Sequence, residues 1–174
     1  KNLILKEFVS NKVPHGQLFV GPEGSGQLPM ALAFATYLFC LNRLDGDACG
    51  KCNSCAKMLK INHPDLHIFY PTIKTEAIEK VSKSKRCFPD FQKSILTNPY
   101  LNLSDWSRAL GEGNKSGSIR VRDVIEIINI SNLRSYEGNY KLFIIWCANT
   151  INEAASNKLL KIIEEPKPNT IFIF

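Results

Sequence analysis

The chain has 174 residues, 44% of them hydrophobic and 22% charged, with a net charge of +6; that is enough apolar material for one globular domain with a sizeable core. Nothing resembles a signal peptide or a membrane span, because the apolar stretch after Leu28 is broken by Asn42 and Arg43. Six cysteines without secretory context speak for metal binding or free thiols and a cytoplasmic location, while the basic balance is compatible with nearby nucleic acid and equally with solvated lysines.

Lys1 stands where a methionine would begin a complete chain, so the sequence reads as a fragment. Leu3, Ile4, Leu5, Phe8 and Val9 form a helical apolar stripe ending near Asn11, before Pro14. Then comes the organising stretch, QLFVGPEGSGQLPMALA, from Gln17 to Ala33. The apolar Leu18-Phe19-Val20 reads as a first strand, and a buried helix should begin near Gly26 with Pro29 in its first turn. Strand, glycine loop and helix together are the grammar of a phosphate cradle, in which backbone N–H groups face an anion at a helix N-terminus. Gly21 and Gly26 match the pattern G-x-x-x-x-G-K-[ST], with Gly24 and Ser25 between them. Gln27 and Leu28 occupy the lysine and hydroxyl positions. Glutamine brings no charge to a phosphate and leucine offers no oxygen to Mg²⁺, so the loop is retained without its chemistry. An ordinary glycine turn is the competing reading.

Cys40, Cys49, Cys52 and Cys55 follow in a C-x8-C-x2-C-x2-C array. Two overlapping C-x2-C steps and a sulfur from the preceding helix suit a closed tetrahedral Zn²⁺ site of structural type, with Gly46 and Gly50 supplying a permissive backbone. A redox pair and an iron–sulfur cluster are the alternatives. The array delimits a module over residues 40–62, with a short helix over Ala56–Lys60. His63-Pro64-Asp65 breaks that helix and leads into a second strand, Leu66–Tyr70; His63 and His67 are weak candidates as further ligands. Cys87 and Cys147 read as free thiols.

Residues 72–118 carry no clear pattern and read as an insertion of unknown role. Lys74–Arg86 is a basic mixed-charge run, a DNA contact or simply a solvated helix face. Asn98-Pro99 marks a turn, and Ser104-Asp105 can cap a short helix bearing Trp106 and Leu110, closed by Gly111 and Gly113 before a flexible loop. Helical spacing predicts a helix over Arg122–Asn132, then a turn at Tyr136–Asn139. Lys141–Cys147 has the continuous apolar run of a buried parallel strand. A helix over Asn149–Glu165 and a strand over Ile171–Phe174 complete an α/β fold with a parallel sheet. In phosphate-loop ATPases the second strand of such a pair ends in carboxylates for Mg²⁺ and water; here it ends in Trp146-Cys147, which can do neither.

GPEGSG, the four-cysteine array, HPDL at His63–Leu66 and NKLLKIIEEP at Asn157–Pro166, in this order, resemble the first domain of bacterial DNA polymerase III clamp-loader subunits of the AAA+ superfamily. The motor subunits of that family (gamma/tau) keep the lysine and the acidic pair. The delta-prime group commonly lacks them, and this sequence is similar to that group because Gln27 and Trp146-Cys147 replace those residues. The resemblance covers residues 1–174 except roughly 74–117. It implies an AAA+ phosphate-loop domain, incomplete at its C-terminus, that carries structural zinc and needs no ATP. It further implies a subunit of the polymerase holoenzyme that is itself no enzyme, acting beside delta and gamma/tau to place the sliding clamp on primed DNA. An arginine finger, a helical lid and a collar would lie beyond Phe174. Two rival expectations are an unusual ATP-hydrolysing motor and a zinc-dependent DNA-binding module; weak retention of an anion at Gly24–Gln27 is compatible with the main one.

Overall fold

The computed structural model describes residues 13–44, 46–73, 83–110 and 117–174; the predicted N-terminal helix, most of the basic run and the Gly111–Gly113 cap lie outside them. In chain order the elements are β1 (Gly16–Gln17), α1 (Gln27–Phe39), α2 (Asn53–Leu59), β2 (Leu66–Phe69), α3 (Lys83–Arg86), α4 (Phe88–Thr97) and α5 (Leu103–Ala109). After them come α6 (Val121–Ser131), β3 (Lys141–Ile145), a 3₁₀ turn at Ala148–Thr150, α7 (Glu153–Glu164) and β4 (Thr170–Ile173). The four strands form one parallel sheet in the order β1-β4-β3-β2.

Both faces of the sheet are covered, and the alternation along the strands decides which side chain goes where. Leu142, Ile144, Ile171 and Ile173 face the side occupied by α1, α4 and α5, with Tyr70, Phe91 and Trp106 filling that layer. Phe143, Ile145 and Phe172 face the other side, against Val124 and Ile127 of α6 and Ala155 and Leu159 of α7. All five residues of β3 are buried, which explains why its sequence is apolar without alternation. The described part of the stretch that is patternless in sequence, residues 83–110, supplies core: Trp106 is 1% exposed, and its indole N–H donates to the Pro71 carbonyl at 2.7 Å.

Several boundaries differ from the sequence expectation. The first strand pairs at Gly16–Gln17 rather than over Leu18–Val20, with only the Phe19 N–H reaching the Phe174 carbonyl beyond it. At the sheet edge no described residue covers Leu18 and Val20, which are 71% and 82% exposed. The α5 cap is Asn102, whose side chain accepts from the Asp105 N–H at 2.8 Å, rather than Ser104. The strand predicted over Lys141–Cys147 stops at Ile145, because Cys147 takes a left-handed backbone (φ 55°). The helix expected from Asn149 starts only at Glu153, because the Asn152 side chain turns to the Ala155 N–H and caps it there.

Candidate functional site: a glycine-loop cavity and a four-cysteine cluster

The loop between β1 and α1 turns on Gly24 (φ 74°) and Gly26 (φ 100°), both in the left-handed region where a side chain is strained. α1 starts immediately after it at Gln27, with no side-chain cap. The Gln27 side chain bends back and donates its amide to the Pro22 carbonyl at 3.0 Å. The Ser25 N–H donates to the same carbonyl at 3.1 Å. A methyl on Gly21 would meet Ser25 Oγ at 2.5 Å and Gln27 Nε2 at 2.9 Å, so these two side chains close over the loop from within. Leu28 points into the core and is buried.

A cavity of about 350 Å³ opens beside the loop, outside the carboxyl ends of the strands, the usual ligand position in an open parallel sheet. The structure brings Gly21, Gly24, Gly26, Gln27 and Leu28 together with Trp146 and Cys147 around it. Ser25 lines instead a neighbouring cavity with Phe34, Tyr37 and Tyr100. Trp146 leans on Phe91, ring centroids 5.4 Å apart, so the indole takes up space at the end of β3. Burial, with the Glu23 charge added, pushes the Cys147 thiol up to about 12, and it is neutral at pH 7. Among the described residues, Glu23 is the only charged side chain lining the cavity. A phosphate entering this cavity would meet the Glu23 carboxylate, which repels it.

Two neighbours of the loop had no readable signal in sequence. Tyr100 packs its ring over Gly26, where an added methyl would lie 3.4 Å from Cε1; an aromatic one place after Asn98-Pro99 says nothing about reaching residue 26. Glu23 lies inside a glycine loop whose pattern places no demand on that position.

The four cysteines converge. Cys40 closes α1, Cys55 lies in α2, and Cys52 is the α2 N-cap. Between Cys40 and Cys49 the chain folds back through paired Leu44 and Asp47, and Gly46 and Gly50 have φ of 78° and 68°. All four Sγ atoms lie within 4.8 Å of one another, and Cys49 and Cys55 are 3.9 Å apart. Zn–S bonds of about 2.3 Å in a tetrahedron require sulfurs about 3.8 Å apart, so the cluster fits that ion. Backbone N–H groups of Cys49, Cys52 and Cys55 donate to Cys40, Cys49 and Cys52 sulfurs at 3.3–3.5 Å, the arrangement that stabilises thiolates. The Cys49 thiol is held low by the N–H groups of Lys51 and Cys52. For Cys52 burial works upward, yet the N–H groups of Leu41 and Cys55 outweigh it and bring the thiol to about 6. Burial pushes Cys55 up to about 12, so a dication must displace that proton to enter.

His63 and His67 do not join the cluster. The His63 ring stacks on Phe39 at 4.1 Å and 8°, and its Nδ1 accepts the Asp65 N–H. His67 lies beside Phe143. Among the described residues no helix is long and apolar enough to cross a membrane.

A family model described as "DNA polymerase III, delta subunit" matches residues 1–174. Relatives named DNA polymerase III subunit delta' include one from Bacillus subtilis, 26% identical over 98% of this chain. Another, from Yersinia pestis, is 26% identical over 91% of it. A DNA polymerase III subunit gamma/tau of Mycoplasma pneumoniae is 23% identical over the whole chain. The chain spans 39% of the Bacillus relative's length, 35% of the Yersinia relative's and 19% of the Mycoplasma one's.

Proposed function

The chain belongs, over residues 1–174, to the family described as DNA polymerase III, delta subunit, and from that membership we propose that it forms the glycine-loop domain of a clamp-loader subunit of the delta-prime kind that does not hydrolyse ATP. The observation that carries this reading is the filled loop, at which no cation stands among the described residues. Gln27 is hydrogen-bonded to the loop's own Pro22 carbonyl, and among the described residues Glu23 is the one charged side chain lining the cavity. Phosphoryl transfer depends on a positioned lysine and a held Mg²⁺, and neither ligand type stands at the corresponding places. The fold is then an AAA+ domain used as a building block, with delta and gamma/tau subunits as partners, and the sliding clamp and primed DNA reached through the assembly. A cytoplasmic location goes with that role.

The four cysteines in this reading hold structural Zn²⁺. All four donors are thiols and none of the coordination positions is left open, which suits bracing rather than catalysis. The ion supplies charge compensation for the thiolates; the residues orient themselves around it through the N–H···S contacts described above.

The test is a co-purification of the full-length protein with delta and gamma/tau, alongside ATPase and nucleotide-titration measurements on the subunit alone. Association, with no turnover and no heat of ATP-analogue binding, is the expected outcome. Turnover by the isolated subunit would favour a motor of the gamma/tau kind, and failure to associate would sink the proposal. The double substitution Gln27→Lys with Leu28→Ser should also remain without turnover, because Trp146 and Cys147 still leave the metal unsupported; recovered hydrolysis would show that the loop alone had been limiting.

A further inference from the structure

The four-cysteine module is connected to a distant turn by two separate sets of contacts. Cys40 follows Phe39 directly, and the Phe39 ring stacks on His63. The His63 imidazole accepts the Asp65 N–H at 3.2 Å. The Asp65 carboxylate, on a residue 1% exposed, accepts the consecutive backbone N–H groups of Tyr136, Glu137 and Gly138, the last two at 2.8 and 2.9 Å. From the other side, Lys57 of α2, two residues after Cys55, pairs with the Glu137 carboxylate. A methyl on Gly138 would rest 3.5 Å from Phe39 and 3.6 Å from the Asp65 carboxylate, so the turn backbone lies directly on this junction.

We infer that the cysteine module is a clasp: occupancy of the cluster by its metal fixes the turn at Tyr136–Gly138, through Asp65 on one side and Lys57 on the other. The inference rests on the reading of the cluster as a metal site. Its physical basis is that a tetrathiolate ion fixes Cys40 relative to Cys55, and therefore the end of α1 relative to α2. Phe39 and Lys57, one on each of these elements, are the two groups that reach the turn. Without the ion, α1 and α2 keep the apolar cluster that Phe34, Leu38 and Phe39 share with Met58 but lose the fixed spacing of Cys40 and Cys55, and the two grips hold the turn less firmly. The adjoining end of α6 is held differently. Lys141 of β3 donates to the Ile130 and Leu133 carbonyls, a grip independent of the cysteines. Loosening should therefore stop short of Leu133 and leave β3 as it is.

Amide hydrogen exchange on the full-length protein, zinc-loaded and after chelation, tests this, with bound zinc measured in each sample. On metal removal the amides of Tyr136, Glu137 and Gly138 should exchange about tenfold faster or more, while those of Leu142–Ile145 keep their protection. Coupling is reciprocal, so Glu137→Gln, which breaks the surface grip without touching the core, should raise the rate of zinc loss to a competing chelator. Asp65→Asn should do so more strongly, and Glu137→Gln keeps the test open if that variant folds poorly. Unchanged exchange at 136–138 after verified zinc loss would overturn the clasp, as would equal acceleration throughout β3. Absence of stoichiometric zinc from the protein would remove the metal reading itself, and the clasp with it.

Discussion

The proposed loss of phosphate chemistry turns on single side chains. Gln27 matters for where it goes: a neutral amide satisfied by a loop carbonyl has no reason to reach toward a phosphate. His67 shows burial acting on a titrating group. Desolvation, reinforced by the Lys141 charge, lowers it from 6.5 to about 4. The unfolded chain then takes up this proton at higher pH than the folded one. The contribution is fully present above pH 6.5 and is lost as pH falls through about 4, on the order of 3 kcal/mol across the window. Burial shifts His63 in the same direction. Urea midpoints between pH 7 and 4 should therefore fall less steeply for His67→Leu than for the natural chain; parallel curves would show that His67 does not carry the acid sensitivity.

At the scale of elements, legibility followed pattern. The strands β3 and β4 and the helix α6 were readable within a residue or two, because continuous apolar runs and helical spacing admit few alternatives. The cysteine cluster was readable from spacing alone. The helix α4 went unread although its buried Phe91 and Ile95 stand four residues apart, and the depth of Trp106 was not readable because α5 buries that one residue and so has no period to detect. Trp106 stands edge-on to both Tyr70 and Phe91, at 5.3 and 5.0 Å, and satisfies the Pro71 carbonyl. Trp106→Phe retains most of the apolar volume but leaves that carbonyl unpaired, a loss of about 1–3 kcal/mol. Trp106→Ala adds a cavity and should cost about 3–5 kcal/mol. Denaturant unfolding of the two variants separates the contributions, and a Trp106→Phe variant as stable as the natural chain would mean that the hydrogen bond contributes nothing.

For the whole molecule the question is how far the metal module is integrated with the sheet. The module lies between β1 and β2 in sequence and touches the body through α1, α2 and the turn before β3. A structural ion present at 1,000 times its dissociation constant stabilises by about 4 kcal/mol, worth about 8–16 °C in melting temperature for a chain of this size. Thermal melts with and without chelator should show that drop, and re-addition of zinc should restore it. A melt indifferent to chelation would mean that the cysteines contribute as ordinary apolar side chains.

The chain has two tryptophans, and both lie on the same side of the sheet, within 5.4 Å of the Phe91 ring. Intrinsic emission from this protein is thus a local gauge. Trp146 borders the glycine-loop cavity, whereas Trp106 is buried and does not line it, so within residues 1–174 Trp106→Phe leaves one reporter that registers whatever enters the cavity.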